Sequence, residues 1–333
     1  MSTSQKFSQL AGVDAVKYLM AFCVVAIHFR ANYIEAGHEQ FLYPVWFDWL
    51  IKLAVPFFFM ATGFLLQRKL GAIDSVSERR RFMFERCRKV LKMWVLWNLI
   101  YLPLIVYYFF YFDYTLLEAV KFYVYMITLY GGVFCGFPLW YLYSLIFITF
   151  TVALLQPLRG YRYWLLAIFV GAIFMRWLFP EPENPILRLN NRLIGYAYGG
   201  GLAFVGGMLV YSFRRRLNLL FYLAAICLSL AMKYLGDLPY IPQVGALGLF
   251  GLSLALSGRM GEVQLIGLRR QSMWIYFTHM IVIAFYFKVF DVQALIANEW
   301  VNFALIELGA GLLGYALCRT ERTPFGRPLS GLI

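Results

Sequence analysis

The sequence predicts an all-α polytopic membrane protein, a bundle of about ten transmembrane helices, and three observations carry that prediction. Hydrophobic residues make up 62% of the 333 and charged residues only 14%, against about 45–50% and about 25% in a soluble domain. The apolar residues fall in long runs, and a run of about 20 crosses the hydrocarbon as a helix. Lys and Arg, whose excess gives a formal net charge of +13, concentrate in alternate connections between the runs. That is the positive-inside pattern, and it places both termini in the cytoplasm. It also argues against nucleic acid as a partner, because no single basic face collects the charge.

Taken in order, one transmembrane domain over residues 1–333 holds spans near 13–29, 45–66, 90–112, 138–156, 164–179, 193–211, 219–235, 244–256, 273–290 and 303–317. The first run contains Asp14 and Lys17 and lacks a small-residue cleavage site, so it reads as a retained span rather than a secretory signal. The connection after it carries Glu35, His38 and Glu39, whereas the one after the second span is the most basic stretch of the chain, Arg68 to Lys89. The segment from Tyr114 to Tyr130 is interrupted by Glu118 and Lys121 and reads as interfacial. Pro138 opens the fourth span, whose Trp140, Tyr141 and Tyr143 suit the aromatic belt. PEPENP closes the fifth. The sixth is rich in glycine, which lets backbones approach closely. No repeat or second domain stands out. The five cysteines have no paired spacing and indicate neither a disulfide framework nor a metal site.

Ionisable residues inside a span cost about 2.5–3.5 kcal/mol each on insertion scales and by default face a functional interior. The first span holds three: Asp14, Lys17 and His28. Lys17 and His28 return to within about 20° of one face and lie about 16 Å apart along the axis. A polar seam thus runs half-way across the membrane. Histidine can take and return a proton near neutrality, as an acyl transfer to a hydroxyl requires. The alternative for His28 is a packing histidine bonded to a neighbouring helix, and the same alternative stands for His279. Asp14 and Lys17, spaced i, i+3, either neutralise each other or position an anionic substrate. The basic stretch reads either as a topology signal that meets anionic lipid or as a dock for phosphates.

These residues resemble the acyltransferase-3 family of integral membrane acyltransferases. The carriers are Lys17 and His28 preceded by Asp14, VPFFFMATGFLL in the second span, ERCRK, PLWYL, NNRLIGYAYGGGLAFVGGML, and QSMWIYFTHMIVI in the ninth. Together, in order, they cover nearly the whole chain. The resemblance implies an O-acetyltransferase-type enzyme that moves an acyl group, usually acetyl, from cytoplasmic acyl-coenzyme A as co-substrate to a saccharide or other cell-envelope acceptor. It implies His28 as the catalytic base with Lys17 and Asp14 on its helix, and Arg86 and Arg88, with the adjoining Lys89, as the basic group facing the donor. Candidates for binding substrate or the developing oxyanion are Asn98, Tyr141, Asn191, Arg192 and His279. The family commonly has arginine where this chain has Lys17, and serine where it has Thr62 before Gly63. The expected setting is a bacterial inner membrane, with membrane lipids as neighbours, no metal, and an oligomer left open. The rival expectation is a family-related transporter or exporter of an amino acid or polysaccharide that performs no acyl transfer.

Overall fold

The computed structural model describes residues 10–37, 43–178, 195–196, 198–214, 216–236, 241–260 and 265–323. Among them the chain is helical, without a strand. The helices are α1 (Ala11–Glu35), α2 (Val45–Lys52), α3 (Ala54–Leu70), α4 (Val76–Tyr111), α5 (Leu116–Tyr130), α6 (Trp140–Leu155), α7 (Tyr161–Leu178), α8 (Gly201–Phe213), α9 (Leu219–Leu235), α10 (Ile241–Met260), α11 (Ile266–Ala284) and α12 (Glu299–Thr320). Seven segments are long and apolar enough to cross a membrane: Ala11–Glu35, Val45–Leu70, Val76–Tyr111, Leu116–Leu155, Ile241–Met260, Ile266–Val289 and Glu299–Thr320. The spans expected near 164–179 and 219–235 meet α7 and α9, of 18 and 17 residues, and the described end of the span expected near 193–211 meets α8, of 13 residues, while residues 179, 193, 194 and 197 lie outside the described residues. The chain is an integral membrane protein.

Two differences from the sequence reading have local causes. The second apolar run is two helices, because Pro56 lacks an N–H and its ring opposes the carbonyl four residues earlier; the chain breaks at Leu53 and restarts as α3. The basic stretch is no loop from Val76 onward. Ser75 occupies the N-cap position of α4, Glu78 lies in its first turn, and no Gly or Pro interrupts the Arg, Glu and Lys that follow, all good helix formers. Helix α4 therefore reaches 36 residues, about 54 Å, and its basic first half extends the apolar second half. Helix α5 starts with a capping box in which Thr115 and Glu118 satisfy each other's backbone N–H.

The described helices group into two compact units. One holds the described residues up to Ala61 and from Phe213 to Thr323, namely α1, α2, the start of α3 and α9 to α12. There α1 packs on α10, α11 and α12. A Cβ on Gly12 would stand 2.4 Å from the Ser253 carbonyl oxygen and 2.6 Å from the Ser257 N, so the start of α1 touches the α10 backbone, and Val13 N donates to Ser257 Oγ at 3.2 Å. Asp48 accepts from Arg30 at 2.8 Å and pairs with Lys52 and Lys233 at 2.9 Å each. One carboxylate thereby ties α1, α2 and α9 together.

The other unit, Thr62–Ser212, contains the rest of α3 and α4 to α8, with α4 packed on α6. A Cβ on Gly63 would lie 1.9 Å from the Phe204 carbonyl oxygen. Helices α3 and α8 thus meet backbone to backbone, the close approach that small residues permit in membrane bundles.

Candidate active site

In the first unit the polar residues of α1 find partners on α11. Asp14, 5% exposed, faces Arg269 at 4.0 Å, and Lys17 lies within electrostatic reach of both. At the other end of the seam the imidazoles of His28 and His279 stand 5.1 Å apart, centroid to centroid, inclined at 38°. Both pairs advance toward the C-terminal ends, so α1 and α11 run parallel with a charged cluster near one end and paired imidazoles farther along.

The two rings differ. His279 is fully buried; its Nδ1 lies 2.7 Å from the Tyr276 oxygen and 3.2 Å from the Ile275 oxygen, and its Nε2 is buried without a hydrogen-bond partner. A carbonyl only accepts, so Nδ1 carries the proton, and in the neutral ring Nε2 holds a lone pair. His28 is half-buried. Its backbone carbonyl accepts from Asn32 at 2.8 Å, and no described residue hydrogen-bonds its ring. A general base needs this arrangement: an imidazole partly withdrawn from solvent, with a nitrogen not committed to the protein.

In the second unit the basic residues of α4 divide between two faces. Arg86 lies over the Phe82 ring at 5.3 Å, and the charges acting on Lys69 of α3 are three cations, Arg86, Arg68 and Lys89. Arg88 instead lines a groove of about 920 Å³ with Arg80, Arg81, Phe84 and Pro157. There Arg81 is paired with Glu85 at 3.1 Å, and Arg80 lies over Phe84 at 5.6 Å. Tyr141 shares a hydrogen bond with Thr62 at 3.0 Å. Asn98 donates to the Trp94 oxygen at 2.9 Å, which leaves its Oδ1 buried and unpartnered. Its amide nitrogen carries a second N–H, so Asn98 keeps one donor of the kind an oxyanion needs beside that acceptor. Asn191 and Arg192, like His38, lie outside the described residues. No cluster that could hold a metal occurs among the described residues.

Sequence reasoning missed four participants. Arg269 is the ion-pair partner of Asp14; Asp48 and Lys233 belong to the clasp on α1; and Glu307 of α12 has a buried, unpartnered Oε2 within electrostatic reach of Cys23 and Tyr43. The rule that an ionisable residue within a span marks a site singles out Asp48 and Glu307 as plainly as Asp14.

Fold and site together define a polytopic helical membrane protein with paired imidazoles on two parallel helices. Residues 10–319 match the acyltransferase-3 family, described as an acyltransferase domain. The match covers nearly the whole chain, which belongs to that family. A stretch of 96 residues is 32% identical to a serine/alanine racemase of Enterococcus gallinarum, a match that takes in 29% of this chain and only 13% of the racemase. No solved structure matches the chain.

Proposed function

We propose that the protein transfers an acetyl group from cytoplasmic acetyl-coenzyme A to a hydroxyl of a saccharide or related envelope acceptor, in a bacterial inner membrane, as a single domain with both termini cytoplasmic. The carrying observation is the half-buried His28 ring, free of hydrogen bonds to described residues and set opposite His279 at 5.1 Å. In the step, a nitrogen of His28 takes the acceptor hydroxyl's proton while that oxygen attacks the thioester carbonyl. The C–S bond then breaks, and the departing thiolate recovers the proton from the imidazolium. Lys17, with Asp14 and Arg269 beside it, holds the other end of the seam and orders α1 against α11. Arg86 and Lys89, gathered with Lys69 and Arg68, supply the positive charge that the donor's phosphates need.

The test is equilibrium binding of acetyl-coenzyme A to the purified protein, followed by coenzyme A release on addition of an envelope extract. Saturable binding and acceptor-dependent release are expected. A folded protein that binds no acetyl-coenzyme A contradicts the proposal and favours movement of an amino acid or polysaccharide without acyl transfer.

A further inference from the structure

Within the seam, His279 is a buried polar group whose reactive nitrogen the transfer step does not use. Its Nδ1–H is held by the Tyr276 oxygen at 2.7 Å, so the neutral ring offers no donor on its other side. It offers only the Nε2 lone pair, which has no hydrogen-bond partner. A buried acceptor left unsatisfied is costly, and such exceptions in a native structure ask for a ligand or water. The nearby hydroxyl of Thr278 is already spent, since it donates to the Trp274 oxygen at 2.7 Å. His28, 5.1 Å away between centroids, offers the other acceptor nitrogen. Two lone pairs on adjacent rings match two hydroxyls on neighbouring carbons.

We infer that His279 binds the acceptor: its Nε2 accepts a hydrogen bond from the hydroxyl next to the one that His28 deprotonates, so the site selects vicinal diols over lone alcohols. This rests on the hydroxyl-acylation reading above and deepens it. It assigns His279 the part of an acceptor of hydrogen bonds, not of an oxyanion donor, and gives a physical reason for a polyol such as a saccharide as substrate class. The acylated oxygen belongs to the hydroxyl at His28, and the second hydroxyl keeps its proton.

Two measurements test it. The first needs no turnover: nitrogen NMR of histidine-labelled protein in nanodiscs, assigned with His279→Gln, is expected to show His279 protonated at Nδ1 and bare at Nε2. An Nε2–H tautomer overturns the inference. The second compares propylene glycol with n-propanol as acceptors for acetyl-coenzyme A. The wild type is expected to favour the diol by about three- to tenfold, the scale of one hydrogen bond. His279→Phe lowers that ratio to about one, and His279→Gln, whose amide oxygen reaches the same place, restores part of it; thermal unfolding of both variants checks the fold. A diol preference that survives in folded His279→Phe, or is absent from the wild type while both alcohols are acylated, overturns the role of His279. Failure to acylate either alcohol counts instead against hydroxyl acylation itself.

Discussion

Arg86 and Arg88 stand two residues apart on α4 and serve different faces: Arg86 joins Lys69 and Lys89, whereas Arg88 lines the groove with Arg80 and Arg81. At about 100° per residue, two positions place side chains on nearly opposite sides of a helix. One set of phosphates cannot use both equally. We take the crowded set, Arg86 with Lys89 beside two cations of α3, as the donor's anion site, because Arg81 in the groove is paired with Glu85. Arg86→Gln and Lys89→Gln are each expected to weaken acetyl-coenzyme A binding by about 1.5–3 kcal/mol, the scale of a hydrogen bond to a charged group. Isothermal titration checks this; an effect confined to Arg88→Gln would move the donor to the groove.

The Asp48 clasp gives a prediction about stability. Removing its charge leaves Arg30, Lys52 and Lys233 mutually repelling around a site where Asp48 and Lys233 are only 11% exposed. Asp48→Asn is expected to cost about 3 kcal/mol, the lower end of the range for breaking a buried pair. It should appear as a lower thermal midpoint in detergent, and an unchanged midpoint would show that the three cations are satisfied elsewhere.

Gly63 makes a steric prediction in the other unit. With the Phe204 oxygen 1.9 Å from where a methyl group would stand, Gly63→Ala forces α3 and α8 apart and is expected to cost about 1–3 kcal/mol, as overpacking does. Thermal unfolding again reads it. Thr62→Ser, which keeps the hydroxyl that meets Tyr141, is expected to cost much less.

Topology follows from the distribution of Lys and Arg. Cysteine introduced at Arg80 is expected to be shielded from an impermeant maleimide in intact cells, and cysteine at Glu35 to be labelled. The reverse pattern would invert the orientation and with it the side from which the donor enters.

Much of this fold is legible in the sequence because membrane helices declare themselves by composition. The hydrocarbon forces every backbone polar group into an internal hydrogen bond, so long apolar runs admit few other readings. Pro56 and the helical start of α4 are less visible, since a proline's effect depends on what packs around the break, and a basic stretch is as good a helix as a loop. The site is legible in half. His28, Lys17 and Asp14 stand out on one helix, but their partners Arg269 and His279 come from a helix about 250 residues away, and single-sequence periodicity carries no information about which helices are neighbours. For that reason the sequence leaves His279 between packing and a place among the substrate-binding candidates. Glu307 and Asp48 fall under the same rule as Asp14, but Glu307 lies alone in its run, and Asp48, four residues before Lys52, reads as a local ion pair at a span end.

The most direct test of the account is coenzyme A release by wild type and His28→Ala, measured across pH with envelope extract as acceptor and acetyl-coenzyme A binding measured alongside. A base acts unprotonated, so wild-type activity is expected to fall as pH falls through the titration of His28. The variant is expected to lose about 10²–10⁴ in turnover together with that limb, while donor affinity and thermal midpoint hold. A folded His28→Ala protein that turns over at near the wild-type rate, with the same pH dependence, would contradict the mechanism.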